Sequence, residues 1–199
     1  MASWKTLLGI AENKDSPPQN DAGAYEASAH NHLPPVPVPL RAEPLALPKD
    51  QARAMSKEKD FCVQGWNTYG AFENDFAEPV NGTILDKMTG IMWQQDGSKD
   101  EMSIESTKRY LEKLNQARFG GYQDWRLPTL EEGLSLLRSF MNSDGLYIGR
   151  HFDTRQKWIL TSDYTMEPWE IWDVNFLDGH AYCDNPDNIY FVRACRTAR

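Results

Sequence analysis

Three observations predict an α+β fold. A hairpin pattern is followed by two adjacent helical patterns and then by several short β-like runs, so helices and strands are grouped rather than alternating. The stretch Gly120-Gly-Tyr-Gln-Asp-Trp-Arg-Leu-Pro-Thr-Leu-Glu-Glu132 places a turn, a core aromatic and a helix start side by side. Seven Trp in 199 residues point to one compact, aromatic-packed core rather than a helical array.

The hairpin is read from Asn81-Gly-Thr-Ile-Leu-Asp-Lys-Met-Thr-Gly-Ile-Met-Trp93. Thr83–Leu85 and Ile91–Trp93 are strands, and residues 86–90 are turn-forming. A helix from about Ser103 to Ala117 follows, because Ile104, Tyr110, Leu111 and Leu114 recur near a 3.6-residue spacing with charges opposite. Gly120 and Gly121 stop it. The second helix starts at a capping box: Thr129 can accept from the amide three residues on, while Glu132 reaches back to the Thr129 amide. Leu130, Leu134 and Leu137 then face the core. Gly133 inside this helix costs up to ~1 kcal/mol relative to Ala, which a close packing neighbour would explain. Beyond residue 150, Lys157–Thr161, Glu170–Phe176 and Ile189–Arg196 read as strands separated by Asp178-Gly179 and Asp184-Asn-Pro-Asp-Asn188.

The composition changes near residue 60. Eight of twelve prolines precede it and six of seven tryptophans follow it, so residues 1–60 read as a Pro-rich extended arm and residues 61–199 as the globular domain. Leu33-Pro-Pro-Val-Pro-Val-Pro-Leu40 should be polyproline II, and Glu43-Pro-Leu-Ala-Leu-Pro48 continues the extended character. The arm is a flexible tail or a docking element that orders on a partner or on its own domain. Trp4, Leu7, Leu8 and Ile10 give it a small apolar head, spaced roughly like one helix face.

A net charge of −8 argues against nucleic acid and against anionic lipid as partners. No apolar run is long enough to span a membrane. The apolar patch near Leu7 and Leu8 is short and broken by Glu12, Lys14 and Asp15, unlike a secretory signal, so a cytoplasmic location is expected. Cys62, Cys183 and Cys195 fit a reduced compartment or one optional bridge.

At this point the residues resemble a family. Asn81 to Gln94, Gly120 to Glu132, Trp158-Ile-Leu-Thr-Ser162, Trp172-Asp-Val-Asn-Phe-Leu-Asp-Gly179 and Tyr190-Phe-Val-Arg-Ala-Cys-Arg196 look like the C-terminal domain of the Legionella collagen-like protein (Lcl) family, a widespread bacterial domain. Order and spacing agree from about residue 79 to 197. The family is similar to C-type lectin folds and to formylglycine-generating enzyme. The resemblance implies a compact α+β module whose first and last strands meet, with a loop-rich binding face. The arm lies outside it, and extracellular adhesion is not carried over.

The candidate site residues are few. Trp125 and Arg126 read as structural: a core Trp, and an Arg fork satisfied by a carboxylate or carbonyls. Thr129 and Glu132 are structural as the helix cap. Asp173, Asn175, Asp178, Asp184, Asn185, Asp187 and Asn188 suit calcium, which takes six to eight hard oxygens, but they are equally what turns require. Cys183 and Cys195 do not resemble the close catalytic pair of formylglycine-generating enzyme. They are read as buried free thiols or a bridge. His151 and His180 lack a zinc spacing. Tyr164 and Trp169 fall in an apparent loop, where exposed aromatics favour protein or sugar contacts.

The sequence therefore predicts a non-enzymatic binding or assembly protein with no required cofactor, an accessory subunit that docks through its arm and lectin-like domain. Binding is assigned to Trp4, Leu7, Leu8, Tyr164, Trp169, Asp184, Asn185, Asp187 and Asn188. The protein partner is expected at residues 1–60, with a glycan or small ligand at loops 160–188. A carbohydrate- or ligand-binding receptor is the first alternative, an enzyme related to formylglycine-generating enzyme the second.

Overall fold

Two three-stranded antiparallel sheets contribute to one hydrophobic core, and the helix Leu130–Leu134 packs on the second of them. The computed structural model describes residues 37–166 and 168–198; Trp4, Leu7 and Leu8 lie outside the described residues. The elements, in order, are α1 (Lys49–Glu58), β1 (Thr83–Asp86), β2 (Ile91–Gln94), α2 (Ile104–Gln116), a 3-10 turn (Phe119–Gly121), α3 (Leu130–Leu134), β3 (Trp158–Met166), β4 (Trp169–Asn175), β5 (His180–Asp184) and β6 (Cys195–Thr197). The mixed α+β class holds, and neither sheet closes into a barrel.

The first sheet has the order β1-β2-β6, so the hairpin recruits the last strand: Trp93 lies opposite Cys195 and Ile91 opposite Thr197. Its turn is organised by the buried Asp86, which accepts from the Met88 amide at 3.0 Å and the Thr89 hydroxyl at 2.7 Å. The second sheet has the order β3-β4-β5, with β4 central. One of its faces presents Ile159, Trp172, Val174 and Ala181 to the main core. The other carries Leu160 and Ile171, which with Tyr190 form a smaller cluster beside α2.

Helix α2 begins on Ser103, whose hydroxyl accepts from the Ser106 amide. It ends at Gln116, before the glycines, because Arg118 already takes a left-handed conformation at φ 49°. Gly120 and Gly121 instead close the turn that follows, at φ 61° and 94°. A Cβ on Gly120 would come within 2.5 Å of Thr83, so the turn must pass close to β1. The Asn115 amide then brackets the backbone of Trp125, accepting from its N–H at 2.7 Å and donating to its carbonyl at 3.0 Å.

Helix α3 is a single buried turn and a half, started by the full capping box of Thr129 and Glu132. Gly133 faces β3 and β4: a Cβ there would stand 2.9 Å from Val174 and 3.6 Å from Thr161. Close approach to the sheet is the reason for the glycine.

Two expectations about strands change. Tyr164 to Trp169 is not a free loop, since β3 runs to Met166 and β4 begins at Trp169, opposite it. Ile189–Arg196 is not one strand. Only Cys195–Thr197 pairs as a strand, while residues 190–194 cross from one sheet to the other and bond piecemeal to Met102, Leu160, Ser98 and Gln94. The fully buried Arg193 pins this crossing by donating to the carbonyls of Gln94, Gln95 and Asp153 and to the Gln156 side chain. Burial lowers its pKa to about 10, because no carboxylate pairs with it directly.

Residues 37–60 belong to the same compact unit as the rest. The composition break near residue 60 is not a structural break. Residues 43–48 are extended, but they add to the edge of β3: the Leu47 amide donates to the Tyr164 carbonyl at 2.7 Å, and the Tyr164 amide donates to Leu45. Trp172 Nε1 donates to the Leu47 carbonyl at 2.9 Å. Helix α1 buries only the small residues Ala52 and Ser56, so it shows no apolar period from which a helix could be read.

Candidate functional site

Two surfaces of the second sheet gather side chains that the folding argument leaves over. The first is the far end of the β3–β4 hairpin. Met166 and Trp169 stand opposite each other and remain 66% and 58% exposed, with exposed Leu45 on the neighbouring segment. The Thr165 hydroxyl donates to the Pro168 carbonyl at 2.6 Å and accepts from the Glu170 amide at 3.2 Å. Beside it lies a groove of about 340 Å³ lined by Ala46, Pro48, Lys49, Thr165, Met166, Pro168 and Glu170. Lys49 and Glu170 close one side through a 3.0 Å ion pair. Tyr164 lies half-buried below the tip, where its backbone pairs with Leu45 and Leu47.

The second surface is a cleft of about 420 Å³ on the outer face of the same sheet. Alternation along β4 and β5 turns Asp173, Asn175, Tyr182 and Asp184 to this face, with Asp173 directly opposite Tyr182. Trp158 of β3 forms one end. Asn188, Ile189 and Tyr190 of the segment 188–190, with Glu101, complete its lining. The Tyr190 hydroxyl donates to the Asn185 carbonyl at 2.8 Å, and the Tyr182 hydroxyl donates to Asp178 at 2.7 Å.

Asp173 is the unusual member. It is 3% exposed, and its Oδ2 is enclosed without a hydrogen-bond donor. Burial, then the neighbouring carboxyl of Asp184, then Asp178, push its pKa up to about 8. Asp184 can bond to Asp173 only with a proton between them, since two carboxylates are both acceptors. The same burial and negative field push the Cys183 thiol up to about 12. The Tyr182 phenol also rises to about 12, chiefly through its hydrogen bond to Asp178.

The sequence-derived site residues divide accordingly. Asp184 and Asn188 line the cleft with Asp173 and Asn175. Asn185 and Asp187 do not join them: Asn185 Oδ1 accepts from the Asp187 amide at 2.9 Å, a turn-forming bond at an exposed corner. Among the described residues no group of three or more His, Cys, Asp or Glu side chains is arranged to hold a metal ion. Sequence reasoning left out Glu101 and Trp158 as lining residues because they come from remote segments, and Tyr190 because it was read as part of a strand. Cys183 and Cys195 are unbridged and belong to different sheets. Cys195 is fully buried against Arg126 and Glu132, and burial carries its thiol well above the usual range.

Trp125 and Arg126 lie away from both surfaces. Trp125 is buried and donates from Nε1 to the Phe119 carbonyl at 2.9 Å. Arg126 donates to both oxygens of Glu132, at 2.7 Å each. Burial disfavours its charge, but the hydrogen bond to Glu132 and the negative field of Cys195, Glu132 and Glu43 together outweigh this, and the guanidinium pKa rises.

The chain is a small α+β domain that carries a half-exposed aromatic hairpin end and an acidic cleft. Residues 82–196 match the Lcl C-terminal domain, more than half of the 199-residue chain, and the protein belongs to that family. No curated protein and no solved structure matches the chain. Among the described residues no helix is long and apolar enough to cross a membrane.

Proposed function

We propose that this chain is a non-catalytic binding module, an accessory subunit that contacts a protein partner through the end of the β3–β4 hairpin. The observation that carries the reading is Trp169, 58% exposed beside Met166 at a hairpin end where the Thr165 hydroxyl bonds to Pro168 and Glu170. A large exposed aromatic next to a groove gives contact area with few rotatable bonds to order, as binding anchors require. In this reading the architecture is C-type-lectin-like, supported by the pairing of the first hairpin with the last strand. Residues 1–36 supply a second contact, and the unbridged cysteines favour a cytoplasmic, reducing setting.

The test is co-purification from the native cell extract, with hydrogen exchange on the isolated complex. Trp169→Ala should lose the partner, and the wild-type complex should protect residues 164–170. Partner recovery unchanged by Trp169→Ala would sink the assignment. Removing residues 1–36 tests the arm separately, since unchanged recovery there would end its part in docking. A glycan-array signal that depends on Trp169 would move the reading to the receptor alternative.

A further inference from the structure

We infer that the outer-face cleft of the β3–β4–β5 sheet is a binding site for an organic cation, an ammonium or guanidinium group bearing N–H donors, held between Asp173 and Asp184 and walled by aromatic rings. This site is separate from the hairpin end and does not depend on the partner proposed there.

The first support is an unmet need. Asp173 Oδ2 is buried with no donor, on the central strand of the sheet. Among the described residues its one neighbour able to bond it is Asp184, and two acids bond each other only by holding a proton between them, so the pair has no donor from any other side chain. Asp173 lies in the wall of a cleft of about 420 Å³, roomy enough for a side-chain-sized ligand. Asp184 stands diagonally across the β4–β5 pair, since Asp173 is opposite Tyr182 and Ile171 is opposite Asp184. A donor with two or three N–H groups can satisfy both acids at once.

The second support is the sign of the surroundings. Glu101 adds a third carboxylate to the lining, and none of the lining residues is Lys, Arg or His. Lys49, whose charge is felt at Cys183, is held 3.0 Å from Glu170. Trp158, Tyr182 and Tyr190 offer ring faces and edges, which attract a desolvated organic cation. A metal ion fits less well. Calcium takes six to eight oxygens at close range, whereas much of this lining is aromatic and no metal-holding group of side chains occurs among the described residues.

The mechanism has a signature. The Asp173 carboxyl favours its acid form at neutral pH, because burial, Asp184 and then Asp178 raise its pKa to about 8. An arriving ammonium favours the ionised form. Binding then converts the Asp173 carboxylic acid to a carboxylate facing the ligand N–H groups, and the proton leaves to buffer.

Calorimetric titration of the full chain at pH 7 in phosphate tests this, with proton release followed by pH-stat in weakly buffered sodium chloride. The probes are n-butylammonium chloride, for a free amine, and Nα-acetyl-lysine N-methylamide, for a side chain within a peptide. Saturable one-to-one binding of at least one probe is expected, with the pH-stat reporting roughly one proton released per cation. Binding of the amine alone would point to a small-molecule source, and binding of both to a peptide side chain. Asp173→Asn should abolish the proton release. Asp184→Asn, at an exposed position where folding is not at stake, should weaken binding by roughly tenfold or more. Absence of saturable binding of both probes at millimolar concentration would overturn the proposal. So would affinity unchanged in Asp184→Asn, or equal affinity for the Nε-acetylated lysine derivative.

Discussion

The Arg126 guanidinium grips the Glu132 carboxylate through two 2.7 Å hydrogen bonds, and that same carboxylate caps α3 by accepting the Thr129 amide at 2.9 Å. One side chain thus starts a helix and anchors the loop that leads into it. Glu132 is buried and Arg126 only partly so, so losing either partner leaves the other short of hydrogen bonds. Glu132→Ala should lower unfolding free energy by about 3–5 kcal/mol, the range for breaking a buried pair. Arg126→Lys should recover little, because an ammonium cannot reproduce the fork. Urea denaturation followed by Trp fluorescence measures both, and a Glu132→Ala loss below about 1 kcal/mol would refute the coupled role.

Residues 41–47 should be part of the folding unit. Asp163 is fully buried and accepts four hydrogen bonds, two from Arg41, one from the Leu45 amide and one from the Leu130 amide. Removing residues 1–36 should leave the thermal midpoint near that of the full chain. Removing residues 1–48 strands the Asp163 charge and should cost several kcal/mol, about 3–5 for an uncompensated buried ion. Equal melting of the two truncations would show that the segment is dispensable.

Stability should fall as pH rises through the range set by Asp173. Its folded pKa is raised to about 8 from 3.8, first by burial and then by Asp184 and Asp178. Between these values the folded chain holds a proton that the unfolded chain has released. Unfolding free energy therefore declines with pH across this window and levels off above about 8. Asp173→Asn has no such proton, so its stability relative to wild type should improve from pH 5 to pH 8. Denaturation curves at both pH values decide it, and a pH-independent difference between the two proteins would exclude the assignment.

Gly133→Ala should destabilise despite better helix propensity. The gain is at most ~1 kcal/mol, while the new Cβ meets Val174 at 2.9 Å and overpacking costs about 1–3 kcal/mol. Val174→Ala in the same chain should offset part of the loss. A Gly133→Ala protein more stable than wild type would show that the sheet yields at this point.

Local chemistry was the legible part. The Thr129–Glu132 cap, the β1–β2 hairpin and the stripe on α2 each follow from interactions within a few residues, so their patterns survive in a single sequence. Helix α1 was not legible, because it buries Ala52 and Ser56 rather than large apolar residues. Nor was the break-up of residues 189–196, whose β-rich composition is overridden by the crossing that Arg193 pins between two sheets. Of the cleft, Asp184 and Asn188 could be named from their turn. Glu101 and Trp158 could not, since they are brought to it from 83 and 26 residues before Asp184 in the chain.

Sequence alone thus determined the α+β class, the family and the helix and hairpin starts, because periodicity, capping and turn chemistry act over short spans. Only the tertiary structure decided that residues 37–60 join the fold and that Asp173 is buried without a donor. It also decided which carboxylates of the 173–188 region share a cleft and which merely shape a turn. The physical reason is that burial and charge coupling depend on what packs across a strand, and strand partners are distant in sequence.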